Sequence, residues 1–400
     1  MKKFFSLSIL ITTGCFIMAF SGFAQTLDTL SSSAQISLLT STPGPLLYQA
    51  FGHSALRVRD ESKHLDEVYN YGTFDFNTEN FYWKFVKGYL NYSLEVRSFE
   101  EYIVDYQYYN QSVYEQVFNF TQQEANEVFQ FLQNNKLPEN KFYLYDYFHD
   151  NCANRIGDLI FSVFAHRVEL DNISWYEAVS FRESIDPYLR NKPLTHLGID
   201  ISLGVPVDRT MQPKDYFFLP EYLMLAMQNS ILDEPGYGAK PLVKSHQVLY
   251  KGREFPVDPP VSWLSFSLLV LLLMVVLFFT RKEIKNTTYY KKIDLILFGF
   301  LSIIGLYLLF LWVGTAHEAT HLNADLLWAS PLHLLAFYFI ARDKTSSQFF
   351  FWYFSIMFLL LLMYLMMWII DFKNFNWLLI PVLSIYFVRL VRWSFYKKGL

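Results

Sequence analysis

The hydrophobic pattern changes character twice along this chain of 400 residues. Near the start, Gln35–Leu39 and Ser54–Arg59 read as strands, the second alternating apolar and polar residues with the period of two that a strand requires. Asp66–Phe76, rich in Tyr and Phe, predicts a third strand. The rhythm then lengthens to that of a helix. Thr121-Gln122-Gln123-Glu124 is a capping box that opens a helix running to about Asn134. A second helix is expected from Asn151 to about Phe164, with Ile156, Leu159, Ile160 and Val163 on one stripe. Pro187, Pro193, Pro206, Pro213 and Pro220 then break the chain into short elements.

Beyond the Pro-rich Phe255-Pro256-Val257-Asp258-Pro259-Pro260, read as a stiff linker, long apolar stretches take over. Five candidate spans follow: Trp263–Thr280, Ile293–Gly314, Leu326–Ala341, Phe349–Ile370 and Trp377–Val391. Each is close to the roughly 20 residues a helix needs to cross the hydrocarbon core. With five spans, three basic sets fall on one side: Arg281, Lys282, Lys285, Lys291 and Lys292; Arg342 and Lys344; Arg389, Arg392, Lys397 and Lys398. The positive-inside rule makes that side cytoplasmic and puts the N-terminal domain and the connections Thr315–Asp325 and Asp371–Asn376 outside. Trp263, Trp328, Trp377 and Trp393 lie near span ends, as interfacial anchors would.

The N-terminus agrees with that orientation. Lys2 and Lys3 precede an apolar run from Phe4 to Phe20, and Gly22 and Ala24 fit a signal-peptidase site, so the mature chain is expected to start near Gln25. The expected organisation is a signal peptide over 1–24, a periplasmic domain over 25–261 and a transmembrane helical domain over 262–400. A net charge of −4 without a basic patch argues against nucleic acid as a partner.

Of the two cysteines, Cys15 lies in the export signal, which leaves Cys152 alone in the exported chain. A lone thiol has no partner for an internal disulfide, so reactivity becomes the reason to examine it. It falls in the first turn of the predicted helix, where unpaired amides and the helix dipole favour thiolate and can hold an oxyanion. The bland alternative is a small buried hydrophobe. A thiol nucleophile needs a base, and His53, which opens the alternating strand after Gly52, is the first candidate; His149 ranks second. Asn70 or Asp75 would orient the imidazole.

Phe51-Gly52-His53-Ser54-Ala55-Leu56-Arg57-Val58, followed about a hundred residues later by Asn151-Cys152-Ala153-Asn154-Arg155, resembles circularly permuted papain-like domains of the NlpC type, in which the His strand precedes the Cys helix. Joined to a C-terminal membrane region, the pair is similar to the periplasmic domain of Lnb-type lipoprotein N-acyltransferases. The resemblance implies an α+β fold: a circularly permuted papain-like periplasmic domain followed by an all-α bundle of about five transmembrane helices in the bacterial inner membrane. It also implies a reaction, the movement of an acyl chain from a phospholipid to the N-terminal diacylglyceryl-cysteine of a lipoprotein. No cofactor or metal is expected. Cys152 and His53 would be catalytic, with Asn70 orienting. Asn151 and Arg155, and the outer-loop His317, Thr320 and Asn323, would contact substrate. Gly157 departs from the pattern, which expects an Arg before Asp158.

Two other chemistries fit parts of the chain. A thiol peptidase or amidase acting on cell-wall peptides would need the same Cys152 and His53. His317-Glu318-Ala319-Thr320-His321 is a literal H-E-x-x-H, the spacing by which two histidines one helical turn apart bind zinc, with Asp325 or His333 as a third ligand.

Overall fold

Strand pairing organises the first half. The computed structural model describes residues 29–255, 263–286, 289–344, 348–370, 373 and 376–395. The expected signal peptide and the prolines of the linker lie outside these described residues. In chain order the strands are β1 (Gln35–Ser41), β2 (His53–Asp60), β3 (Leu65–Thr73), β4 (Asn91–Ser98), β5 (Val113–Phe118), β6 (Phe142–Leu144), β7 (Val168–Leu170), β8 (Ser230–Glu234), β9 (Gly238–Pro241) and β10 (Val243–Tyr250). Seven of them form an antiparallel sheet in the order β10-β5-β1-β2-β3-β4-β6, and β7, β8 and β9 form a smaller one. The helices of this half are α1 (Phe81–Lys87), α2 (Phe99–Tyr108), α3 (Gln122–Asn135), α4 (Cys152–Val163), α5 (Phe181–Leu189), α6 (Pro193–Ser202) and α7 (Pro220–Gln228).

The three expected strands and two expected helices are all present, but β2 is covered on both faces rather than one. Leu56 and Val58 pack with Ile156, Leu159 and Ile160 of α4 and Val128 and Leu132 of α3. On the other face Ala55 packs with Leu39, Val68 and Tyr102 of α2. Arg57 on that face is buried, because Asp66 at 2.6 Å and Glu115 at 3.1 Å neutralise it and Phe99 covers its guanidinium. The alternation is real, but what looks like a solvent face is a paired charge.

Gly157 has a packing reason. A Cβ there would lie 2.7 Å from the Phe217 ring, so the residue lets α4 sit against Pro213–Phe218.

The second half comprises α8 (Leu264–Asn286), α9 (Lys291–Gly314), α10 (His333–Ala341), α11 (Gln348–Ile369) and α12 (Leu379–Phe395). Among the described residues three of these, α8, α9 and α11, are by length and composition able to cross a membrane, and the other two expected spans hold the shorter helices α10 and α12. The third expected span enters as irregular chain, with short 3-10 turns at Glu318–Thr320 and Ala324–Leu327, and becomes α-helical only over nine residues, α10. That segment leaves backbone groups unsatisfied by a regular helix, and Gly305 of α9 lets it pack closely: a Cβ there would lie 2.4 Å from Ala329 O. The far end of this segment meets the start of α9, where Lys291 Nζ lies 2.8 Å from Asp343. At the same end Arg389 is buried between Asp294 at 2.7 Å and Glu283 at 2.8 Å. The described members of the basic sets therefore gather at one end of the bundle. Trp328 and Trp393 are buried in the core rather than placed as lipid-facing anchors.

Polar contacts tie the two halves together at the opposite end. Gly204 N donates to Ala319 O at 2.7 Å, Asn323 Nδ2 to Ile201 O at 2.8 Å, and Asn376 Nδ2 to Asp200 at 2.8 Å. Leu197 and Ile201 of α6 pack against the helical core of the second half.

Candidate active site

Cys152 is the first residue of α4, and the cap that starts this helix decides which amides remain for chemistry. Asn151 accepts from the amides of Ala153 at 2.8 Å and Asn154 at 3.0 Å, while Asn154 Oδ1 accepts from Asn151 N at 3.2 Å. Asn151 Nδ2 donates to Phe218 O at 2.7 Å and Tyr147 O at 3.0 Å. The Asn151 side chain is fully used in holding the turn. The Asn151 cap takes the amides of Ala153 and Asn154 and not that of Cys152, which in the first turn of the helix has no intrahelical acceptor and is available as one arm of an oxyanion hole.

His53 reaches the thiol from the first position of β2. The turn before it needs glycine: Gly52 has φ +81°, and a Cβ there would lie 2.4 Å from Ser41 O. His53 Nε2 donates to Asn70 Oδ1 on β3 at 2.5 Å, and the ring also hydrogen-bonds Cys152, which leaves Nδ1 to face the sulfur. Asp75, the other candidate orienting group, instead accepts from Asn77 N in a turn at 2.8 Å.

Burial pushes the Cys152 thiol up, but the His53 charge, the hydrogen bond from that ring and the Ser54 and Ala153 amides outweigh it, so its pKa falls below the ordinary thiol value. For His53, burial works downward, and the Cys152 charge with the Cys152 and Asn70 hydrogen bonds more than reverses it. Both shifts favour a thiolate–imidazolium pair. Tyr143, Tyr145 and Tyr147 ring the sulfur; burial first, then the charge of Cys152, raises each phenol, so all three stay protonated donors. The Tyr147 hydroxyl is buried and has no hydrogen-bond partner among the described residues.

These groups open into a cavity of about 690 Å³, within the roughly 300–1,000 Å³ of small-molecule sites. Its walls are mainly apolar and aromatic, including Phe51, Phe74, Phe76, Phe85 and Leu90, with Glu95, Arg97 and Asp105 as a charged patch.

The structure brings together Cys152, His53, Asn70, Asn151 and, from the second half, His317. It does not bring Arg155, Thr320 or Asn323 to this cavity. Arg155 is held by Asp150 at 2.6 and 2.7 Å over the Tyr143 ring. Thr320 bonds to Leu311 O at 3.0 Å, and Asn323 secures the seam. His149 packs beside Phe181 away from the thiol. The H-E-x-x-H helix does not form: His317 precedes a 3-10 turn and His321 follows it in extended backbone, so the two rings are not stacked one turn apart. Among the described residues no group of three His, Cys, Asp or Glu could hold a metal ion. Sequence reasoning missed Tyr147 and Arg97. The aromatic run Phe142-Tyr143-Leu144-Tyr145-Asp146-Tyr147-Phe148, directly before the cysteine segment, was the available signal.

A Cys-His-Asn constellation on a sheet-and-helix domain, joined to a membrane bundle, defines a membrane-bound thiol-site protein. Residues 23–184 match the Lnb N-terminal periplasmic domain and residues 261–399 the Lnb transmembrane domain, so about three quarters of the chain is covered in the order the fold shows, and the chain belongs to the Lnb family. It is thus a membrane protein with a periplasmic domain and a role of the lipoprotein N-acyltransferase type. No curated protein and no solved structure matches the chain.

Proposed function

We propose that the protein moves an acyl chain from a phospholipid to the N-terminal diacylglyceryl-cysteine of lipoproteins, through a thioester on Cys152, at the periplasmic face of the bacterial inner membrane. The observation that carries this reading is the Cys152–His53–Asn70 constellation in a cavity walled by apolar side chains and completed by His317 of the membrane half.

In the first half-reaction the Cys152 thiolate attacks the ester carbonyl, and the carbonyl oxygen takes the negative charge. The Cys152 amide and the Tyr147 hydroxyl donate to it. The C–O bond breaks, His53 gives its proton to the departing lysophospholipid oxygen, and the acyl group stays on sulfur. In the second, the lipoprotein α-amine attacks the thioester, neutral His53 takes the amine proton, the C–S bond breaks, and the amide and free thiolate are the products. Asn70 keeps Nε2 engaged, so that Nδ1 exchanges protons with the reacting atoms. The circularly permuted papain-like ancestry suggested by the order of His strand and Cys helix fits this use of the site.

The membrane half suits the substrates. Both carry acyl chains, and bringing one into water costs about 0.8 kcal/mol per CH₂ exposed. A wall peptidase using the same thiol would have hydrophilic substrates and no use for an apolar cavity joined to a bundle. The test is expression of wild type, Cys152→Ala and His53→Ala in cells depleted of their own N-acylating enzyme, with mass spectrometry of a lipoprotein N-terminus. The third acyl chain is expected with wild type only. Full N-acylation by Cys152→Ala rejects the thioester.

A further inference from the structure

Helix α1 presents to the outside what a water-soluble domain would bury. Tyr82, Phe85 and Val86, at the i, i+3 and i+4 spacing of one helical face, are 77%, 50% and 40% exposed, and Tyr89, just past the left-handed Gly88 that ends the helix, is 54% exposed. Only Phe81 of this helix is buried. Apolar patches of this kind on exported domains mark contact surfaces.

What lies against the patch is indicated by its neighbours. Trp83 stacks on Phe310 of α9, with centroids 6.2 Å apart, four residues from the outer end of that helix at Gly314. Ala316 N donates to Lys87 O at 2.9 Å, and the His317 ring lies 3.2 Å from Phe85 O. The patch is therefore continuous with the lipid-facing side of α9, where Ile303, Leu306 and Val313 are exposed. Lys84 and Lys87 on the same helix supply the cations that suit phosphate headgroups. Phe85 and Gly88 belong at once to this helix region and to the wall of the Cys152 cavity, whose rim continues through exposed Phe76, Leu47 and Tyr48.

We infer that α1 is an interfacial helix, its Tyr82–Phe85–Val86 stripe and the adjoining Tyr89 embedded in the outer leaflet of the bilayer that the second half spans, and that it forms the threshold over which an acyl chain passes sideways from that leaflet into the Cys152 cavity. The membrane contact stands on geometry alone; the passage of an acyl chain rests on the acyl-transfer reading.

The experiment separates the two. Full-length protein with Cys15→Ser, Cys152→Ala and Tyr82→Cys carries an environment-sensitive fluorophore at position 82 and is reconstituted in a phosphatidylethanolamine–phosphatidylglycerol bilayer containing doxyl-labelled lipid. A matched protein is labelled through Tyr237→Cys, on the exposed turn between β8 and β9. Strong quenching at 82 and none at 237 is expected; an unquenched label at 82 overturns the interfacial helix. In otherwise wild-type protein, Tyr82→Asp with Val86→Asp should slow acyl transfer from bilayer phospholipid about tenfold or more, the scale of losing two apolar side chains from lipid. Alkylation of Cys152 by water-soluble iodoacetamide should keep its wild-type rate, which shows an intact site. Unchanged acyl transfer in that variant overturns the threshold. If Cys152→Ala still N-acylates while the label at 82 is quenched, the acyl-transfer reading fails and the membrane contact stands.

Discussion

Two buried polar clusters in this molecule differ in what they leave unspent. At the seam between the halves, Arg182 is buried and donates to Asp208 at 2.6 Å, Asp200 at 2.9 Å and the carbonyls of Leu203 and Gly204, while Asn376 takes the remaining oxygen of Asp200. Every carboxylate oxygen has a donor. Around Cys152, by contrast, the pairing stops short: the Tyr147 hydroxyl has no partner among the described residues, the Cys152 amide lies in the helix's first turn where no intrahelical acceptor exists, and the Cys152–His53 pair opens onto a largely apolar cavity. A closed network holds two domains in one geometry, whereas an incomplete one has donors ready for charge that develops only during a reaction.

The contrast can be broken from either side. The largest effect is expected from Cys152→Ala, which should abolish acyl transfer, a loss on the order of a thousandfold or more, without lowering the thermal midpoint, because a small group leaves a site that is not holding the fold. A large drop in midpoint would make this thiol structural. Arg182→Met should do the opposite. It strands Asp200 and Asp208 and costs about 3–5 kcal/mol, seen as a lower unfolding midpoint, while the pH dependence of Cys152 alkylation in the surviving folded protein stays as in wild type. A shifted profile would mean that the two clusters are electrically one.

Tyr147→Phe sharpens the comparison by removing a single unspent donor. It should lower the acyl-transfer rate about 10²-fold with little change in the apparent affinity for phospholipid, and iodoacetamide alkylation, which develops no oxyanion, should be unaffected. The smallest effect is predicted for Asn70→Ala, roughly tenfold in rate for one hydrogen bond to a charged ring. Its pH signature is specific. In wild type, acyl transfer should fall at low pH as the depressed Cys152 thiolate takes a proton, and at high pH as the raised His53 imidazolium loses one. The Asn70 bond raises His53, so its loss should move the alkaline limb to lower pH. An unmoved limb would remove Asn70 from the site.

Much of this was legible in the residues, and the reasons are local. The Thr121 capping box, the stripe on α4 and the alternation in β2 are short-range patterns, and the structure reproduces each. Where the reading failed, distant residues had intervened. The alternation in β2 does not disclose that Arg57 is buried, which follows only once Asp66 and Glu115 are brought to it. Thr320 and Asn323 have the polarity of site residues, yet the fold uses both to secure backbone. H-E-x-x-H presupposes an α-helix, and the chain between α9 and α10 turns instead as 3-10 segments. The third expected span, 326–341, is only partly α-helical, because Gly305 makes room for an irregular start ahead of α10.

The sequence by itself determined most of the elements, the division into a mixed domain and a membrane half, and the choice of Cys152 as the thiol to examine, because helix caps, apolar runs and a solitary thiol act through near neighbours or through composition. Only the tertiary structure decided which histidine meets that thiol, that Asn70 rather than Asp75 stands behind it, that Tyr147 is left without a partner, and that His317 comes from the other half to complete the wall. Those outcomes depend on which strands become adjacent and on where one domain rests on another, and such packing is a property of the whole chain that no local pattern encodes.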